Sequence, residues 1–146
     1  HAERGERGQP GGVRAPPRLS PMPLATTRLA VAPDAIAPDG SEVRLLSATA
    51  RGSMAHFTLP PGAISKAIRH RSVEEVWFVT GGRGRMWRRL GDEEGVTDLV
   101  PGVSLAIQPG TWFQFRCDGA EPLTIVGVTM PPWPGADEAV FVAGVW

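Results

Sequence analysis

From Glu42 onward the chain alternates short apolar runs with turn residues. The runs are EVRLLSA, SMAHFTL, EEVWFVT, RMWRRL, VTDLV, VSLAIQ, WFQFRC, PLTIVGVTM and EAVFVAGVW. Each has the length of a strand, and several alternate apolar and polar residues with a period of two. The breaks between them, such as LPPG, TGGRG, GDEEG, QPG, CDGAE and MPPWPG, are rich in Gly, Pro and Asp. Those residues supply the positive φ, the fixed φ and the local hydrogen bonds that turns need. No window carries a helical stripe. Many short strands at this spacing predict an all-β sandwich or barrel.

Residues 1–23 differ in kind. They carry five Pro, four Gly and four Arg with few apolar residues. Such a segment cannot bury enough surface to offset its chain entropy, so it reads as a disordered tail before a single domain over residues 24–146. A chain of 146 residues suits one domain with one core.

Charge narrows the function classes. The formal net charge is zero, which argues against a nucleic-acid surface. GGRGRMWRR mixes arginines with an aromatic, but GDEEG follows it, and an exposed hairpin is the expectation. The longest apolar runs are too short to cross a bilayer, and the leader lacks the apolar stretch of a signal peptide. Cytoplasm is the simplest compartment. One cysteine, Cys117, excludes an internal disulfide and a Cys-rich zinc site. The chain has no Tyr, no Asn and a single lysine, Lys66, a usage that points to a GC-rich bacterial source.

The chemistry concentrates in GAISKAIRHRSVEEVWFVTGG. Gly62 is followed after five residues by Ile68, after one more by His70, after four by Glu75 and after six by Gly82. This resembles the first cupin motif, in which Gly, His-x-His, Glu and Gly follow at that spacing. GVSLAIQPGTWFQFRC resembles the second. Gly102 opens it, Gln108 stands where proline is usual, Gly110 is the fixed glycine, and the third histidine position falls at Phe113. The resemblance spans residues 42–130. It implies a double-stranded β-helix, a jelly-roll-like barrel.

Cupins typically hold a divalent metal with three His and one Glu. Here two of those four positions are Ile68 and Phe113, leaving His70 and Glu75. One imidazole and one carboxylate fall short of the three protein ligands that first-row catalytic metals usually keep. No cofactor is therefore expected, although the resemblance leaves room for a weakly bound divalent metal. His56 and Cys117 are the candidates to complete such a site. Cys117 lies four residues past Phe113, and His56 has the opposite strand parity to the core-like Ala55, Phe57 and Leu59.

Parity also predicts the barrel lining, because side chains two apart share a face. Ile68 and His70 point inward, and Trp77 and Val79 share the face of Glu75. Phe115 and Cys117 share that of Phe113. The expected substrate pocket holds Ile68, Trp77, Val79, Phe113, Phe115 and Cys117 around His70 and Glu75. An apolar wall raises the pKa of Glu75, which makes it and His70 an acid–base couple. An inherited pair that only bonds to itself is the alternative. Cys117 otherwise reads as a small buried hydrophobe, and Trp133, in its stiff turn, as a cap on the barrel mouth.

Three functions follow. The first is a metal-independent lyase, isomerase or cyclase using His70 and Glu75. Its small, partly apolar substrate would be polyketide-like or aromatic, as the resemblance to accessory enzymes of bacterial secondary metabolism implies. The others are a non-catalytic binding or sensing module and a metal-dependent enzyme with an unusual ligand set. A homodimer is expected, with Trp112 and Phe78 at the contact.

Overall fold

The structure is a computed structural model that describes residues 24–146; the leader over residues 1–23 lies outside the described residues. The chain folds as an all-β double-stranded β-helix. Its strands are β1 (Ala35–Ile36), β2 (Glu42–Ala48), β3 (Ser53–Leu59), β4 (Ile68–His70), β5 (Glu74–Gly81), β6 (Gly84–Leu90), β7 (Glu93–Leu99), β8 (Ser104–Ile107), β9 (Trp112–Cys117), β10 (Leu123–Met130) and β11 (Ala139–Phe141). A single 3₁₀ turn, Ala136–Glu138, precedes β11. No helix among the described residues is long and apolar enough to cross a membrane.

Two antiparallel sheets face each other. One runs β1-β2-β3-β10-β5-β8 and the other β11-β4-β9-β6-β7. The period-two pattern decides what lies between them. Along β5, Glu75, Trp77 and Val79 are buried while Val76 and Phe78 face out. Along β10, Leu123, Ile125, Gly127 and Thr129 are buried and the residues between them are half-exposed. Aromatic and branched side chains on these inner faces, with Met86 and Leu99 from the other sheet, form one core.

Gly82 shows why the β5–β6 turn needs its glycines. It sits at φ 76°, and a Cβ there would meet the Pro122 carbonyl. The break at GDEEG is shorter than expected: β7 starts at Glu93, so the turn is confined to Gly91 and Asp92. Gly91 at φ 59° makes so tight a turn possible. The glutamates that looked like loop charges are exposed strand residues.

Candidate functional site

The short strand β4 carries the first half of the site. Its neighbours fix it from both sides: Ile68 pairs with Phe113 on β9, and Ala139 on β11 pairs with His70. The Gly110 N–H donates to the His70 carbonyl at 3.0 Å. Beyond β4, the carboxylate of Glu138 accepts hydrogen bonds from the Ser72 and Val73 backbone N–H groups and from the Ser72 hydroxyl. Burial pushes the Glu138 carboxyl up, but these bonds and nearby His70 outweigh it and hold the pKa below the usual value. Glu138 thus clamps the turn that sets His70 against β5.

A cavity of about 280 Å³ opens between the six-stranded sheet and strands β4 and β9, under β1 and the turn after it. Ile68, His70, Glu75, Trp77 and Phe113 line it, as parity predicts. Val79, Phe115 and Cys117 do not. They are fully buried in the core beyond it, with the Phe115 ring edge-on to Trp77 at 5.1 Å. Cys117 spends its thiol on the Glu121 carbonyl at 3.2 Å. Ile68 and Phe113 occupy the walls of the cavity without closing it.

The pair at its centre is uncharged. His70 Nδ1 lies 3.8 Å from Glu75 Oε2, and both side chains are almost wholly buried. That separation would suit an ion pair, but burial works against both charges. Burial drives His70 down to about 4, with Glu138 opposing the shift. Burial drives Glu75 up to about 8; the Trp77 indole, donating to Oε2 at 3.1 Å, opposes this, and Asp39 adds to it. At neutral pH the site therefore presents a carboxylic acid beside a neutral imidazole, and His70 Nδ1 has no hydrogen-bond partner among the described residues.

Asp39 is the residue that sequence reasoning missed. It lines the cavity and is buried, and burial holds its carboxyl above the usual range. Its Oδ1 accepts from the Ser41 N–H at 2.9 Å and the Ser41 hydroxyl at 2.7 Å. In the sequence it sits in PDGS, which reads as a turn and nothing more. Phe57 also lines the cavity, stacked on Trp77 with ring centroids 5.5 Å apart. Trp133 does cap the cavity, edge-on to His70 at 5.2 Å. Ser53 and Thr129 bond to each other through their hydroxyls at 2.6 Å.

The donor set does not fit a cupin metal. Ile68 and Phe113 offer hydrocarbon where imidazoles would bind, and no group of three His, Cys, Asp or Glu among the described residues could hold an ion. Neither rescue candidate reaches the cavity. His56 pairs with Val126 and Arg44 across the sheet, on the face away from the core, and Cys117 is in the core.

Comparison with known proteins agrees with this fold. Among solved structures, a Bacillus halodurans protein is 20% identical over 64% of this chain and 72% of its own, with a TM-score of 0.58. KdgF from Halomonas sp. is 15% identical over 65% and 82% of the two chains, with a TM-score of 0.56. Oxalate decarboxylase from Bacillus subtilis is 18% identical over 73% of this chain and 29% of its own, with a TM-score of 0.61. At these identities the likeness is one of fold. No curated protein matches the sequence. The family model described as "Cupin domain" matches residues 55–129, just over half of the chain, and the chain belongs to the cupin family.

Proposed function

We propose that this cupin is a metal-independent enzyme, a lyase, isomerase or cyclase that moves protons on a small, partly apolar organic molecule. The observation that carries the reading is the buried, unpartnered His70 Nδ1 beside the Glu75 carboxyl in an otherwise apolar cavity. In the simplest step, His70 Nδ1 takes a proton from a carbon next to a carbonyl while Glu75 gives its proton to the carbonyl oxygen. The products are an enol, an imidazolium and a carboxylate. Separate charging of either group is unfavourable here, so the two transfers are coupled. Return of the protons, or loss of a leaving group from the enol, completes an isomerisation or elimination.

The test is deuterium exchange at the benzylic carbon of 2-tetralone in D₂O, followed by NMR. Exchange above the uncatalysed rate is expected, with His70→Ala and Glu75→Gln each abolishing it while 2-tetralone still binds. Binding without exchange would move the protein to the class of non-catalytic binding modules. Exchange that requires added zinc or nickel would point to a metal-dependent enzyme.

The reading includes a cytoplasmic homodimer. The outer face of the six-stranded sheet presents Val76 and Phe78 on β5, Val126 and Val128 on β10, and Met54 on β3. Arg44 holds the arm before β1 through the Ala30 and Val31 carbonyls, which leaves Leu29 and Val31 facing solvent. An apolar arm and an apolar sheet face on one molecule are complementary, and a two-fold partner covers both. Trp112, the other expected contact, is half-buried under the Arg89 guanidinium at 5.1 Å.

A further inference from the structure

We infer that the cavity selects an uncharged, flat aromatic or conjugated molecule whose phenolic or enolic hydroxyl sits between His70 and Glu75, and that it rejects the matching carboxylate. This inference rests on the reading of the cavity as the functional site.

Three observations carry it. None of the described residues lining the cavity is Lys or Arg, while Asp39 and Glu75 are both there. An anion placed in it would lose its hydration and gain no cation. A carboxylate or phosphate ligand is therefore disfavoured by the walls themselves.

The second observation is where polarity remains. Ser53 and Thr129 satisfy each other, and the Asp39 Oδ1 is taken by Ser41. Besides Asp39 Oδ2, that leaves the His70–Glu75 pair as the polar end. Its 3.8 Å separation is less than twice the length of a hydrogen bond, about 2.8 Å. A single oxygen can thus bond both groups once a bound molecule parts the walls that close off Nδ1 here. It must donate to Nδ1 and accept from the protonated carboxyl, since the buried pair is neutral at pH 7. A hydroxyl does both, whereas a ketone oxygen can only accept. Glu75 is held for this role by the Trp77 indole on its Oε2.

The third observation is shape. Phe57, Trp77, Phe113 and Trp133 supply aromatic walls. A volume of about 280 Å³ lies near the lower end of small-molecule pockets, about 300–1,000 Å³. One or two fused rings fit.

Quenching of tryptophan emission by 2-naphthol, 2-naphthoate and naphthalene at pH 7 tests this, with Trp77 and Trp133 as the reporters. The expected result is 2-naphthol binding at least tenfold tighter than either of the others. His70→Phe should bring 2-naphthol down to the level of naphthalene, with a melting temperature close to that of the parent to show intact folding. Equal or tighter binding of 2-naphthoate overturns the ligand class while leaving exchange of 2-tetralone as a separate result. Failure of all three probes to bind overturns the cavity as a functional site, and the proposed function falls with it.

Discussion

His70 Nδ1 lies 3.8 Å from Glu75 Oε2, and the two groups meet as neutral species. In many buried His–carboxylate pairs the proton has moved to the imidazole and the pair is ionic. Here the surroundings are hydrocarbon and indole, and little is present to solvate the charges. Trp77 offers one hydrogen bond to the carboxyl, and Asp39 makes ionisation of Glu75 harder. The site stores two costs of ionisation, and both should be visible in stability.

For Glu75 the folded pKa of about 8 exceeds the ordinary glutamate value of 4.5. Between those values the folded state holds a proton that the unfolded state has released, so stability falls as pH rises through this window. For His70 the folded pKa of about 4 lies below 6.5. Between those values the unfolded state holds the extra proton, so stability falls as pH drops through this window. From pH 4.5 to 6.5 the two slopes oppose each other, and above 6.5 only Glu75 contributes. Urea denaturation should show the parent losing on the order of a few kcal/mol between pH 6.5 and 9. Glu75→Gln should flatten that loss. An unchanged slope in the variant would assign it to another group.

Gly127 keeps the aromatic wall in place. It lies on β10 between Ala55 and Trp77, and a Cβ there would come within 2.7 Å of the Phe57 ring and 3.2 Å of the Trp77 Nε1. Gly127→Ala must displace the Phe57–Trp77 stack or the indole that bonds Glu75. A cost of about 1–3 kcal/mol is expected, together with a shift in tryptophan emission and loss of 2-naphthol binding. A variant with parental emission and binding would show that the wall yields freely.

Much of this site is legible in the sequence. Strand parity alone aims Ile68, His70, Glu75, Trp77 and Phe113 at one cavity, because a buried inner face enforces a period of two. Parity does not say how far along a strand a cavity extends. Val79, Phe115 and Cys117 share the right face and still lie in the core beyond the cavity. Asp39 and Phe57 escaped for a different reason. They reach the cavity through the chain of pairings β1 with β2, β2 with β3 and β3 with β10, a long-range arrangement that local pattern does not encode. Glu138 is hidden in the same way, 65 residues from the Val73 N–H that it accepts from.

The outer sheet face predicts the assembly. Phe78 is about half-exposed, with Val76 beside it in the same state. Light scattering at micromolar concentration should give the mass of two chains. Phe78→Arg, which places a charge in the centre of the face, should shift it to one chain while the melting transition stays cooperative. A parent that runs as a single chain would remove the dimer.

The strongest test of the site's ancestry and geometry is to restore its missing ligands. Ile68 and Phe113 are direct partners across β4 and β9, and each is almost fully buried at the cavity wall. His70 is two residues from Ile68 on the same face, and Glu75 is already beside it. Ile68→His with Phe113→His should therefore bring three imidazoles and one carboxylate around one point. Zinc or nickel affinity should rise by several orders of magnitude over the parent, because completing a ligand set is what makes such binding tight. The double change should cost about 2–4 kcal/mol without metal, since it removes packed hydrocarbon and buries two polar rings. Metal should restore part of that by binding only the folded state. It should also acidify Glu75, because a bound cation favours the carboxylate, and so reverse the pH slope described for the parent. Isothermal titration of both proteins with zinc, followed by denaturation with and without metal, measures each step. Equal and weak binding by the two proteins would mean that Ile68 and Phe113 do not stand at the ligand positions, and the assignment of His70 and Glu75 as the remainder of a metal site would fall.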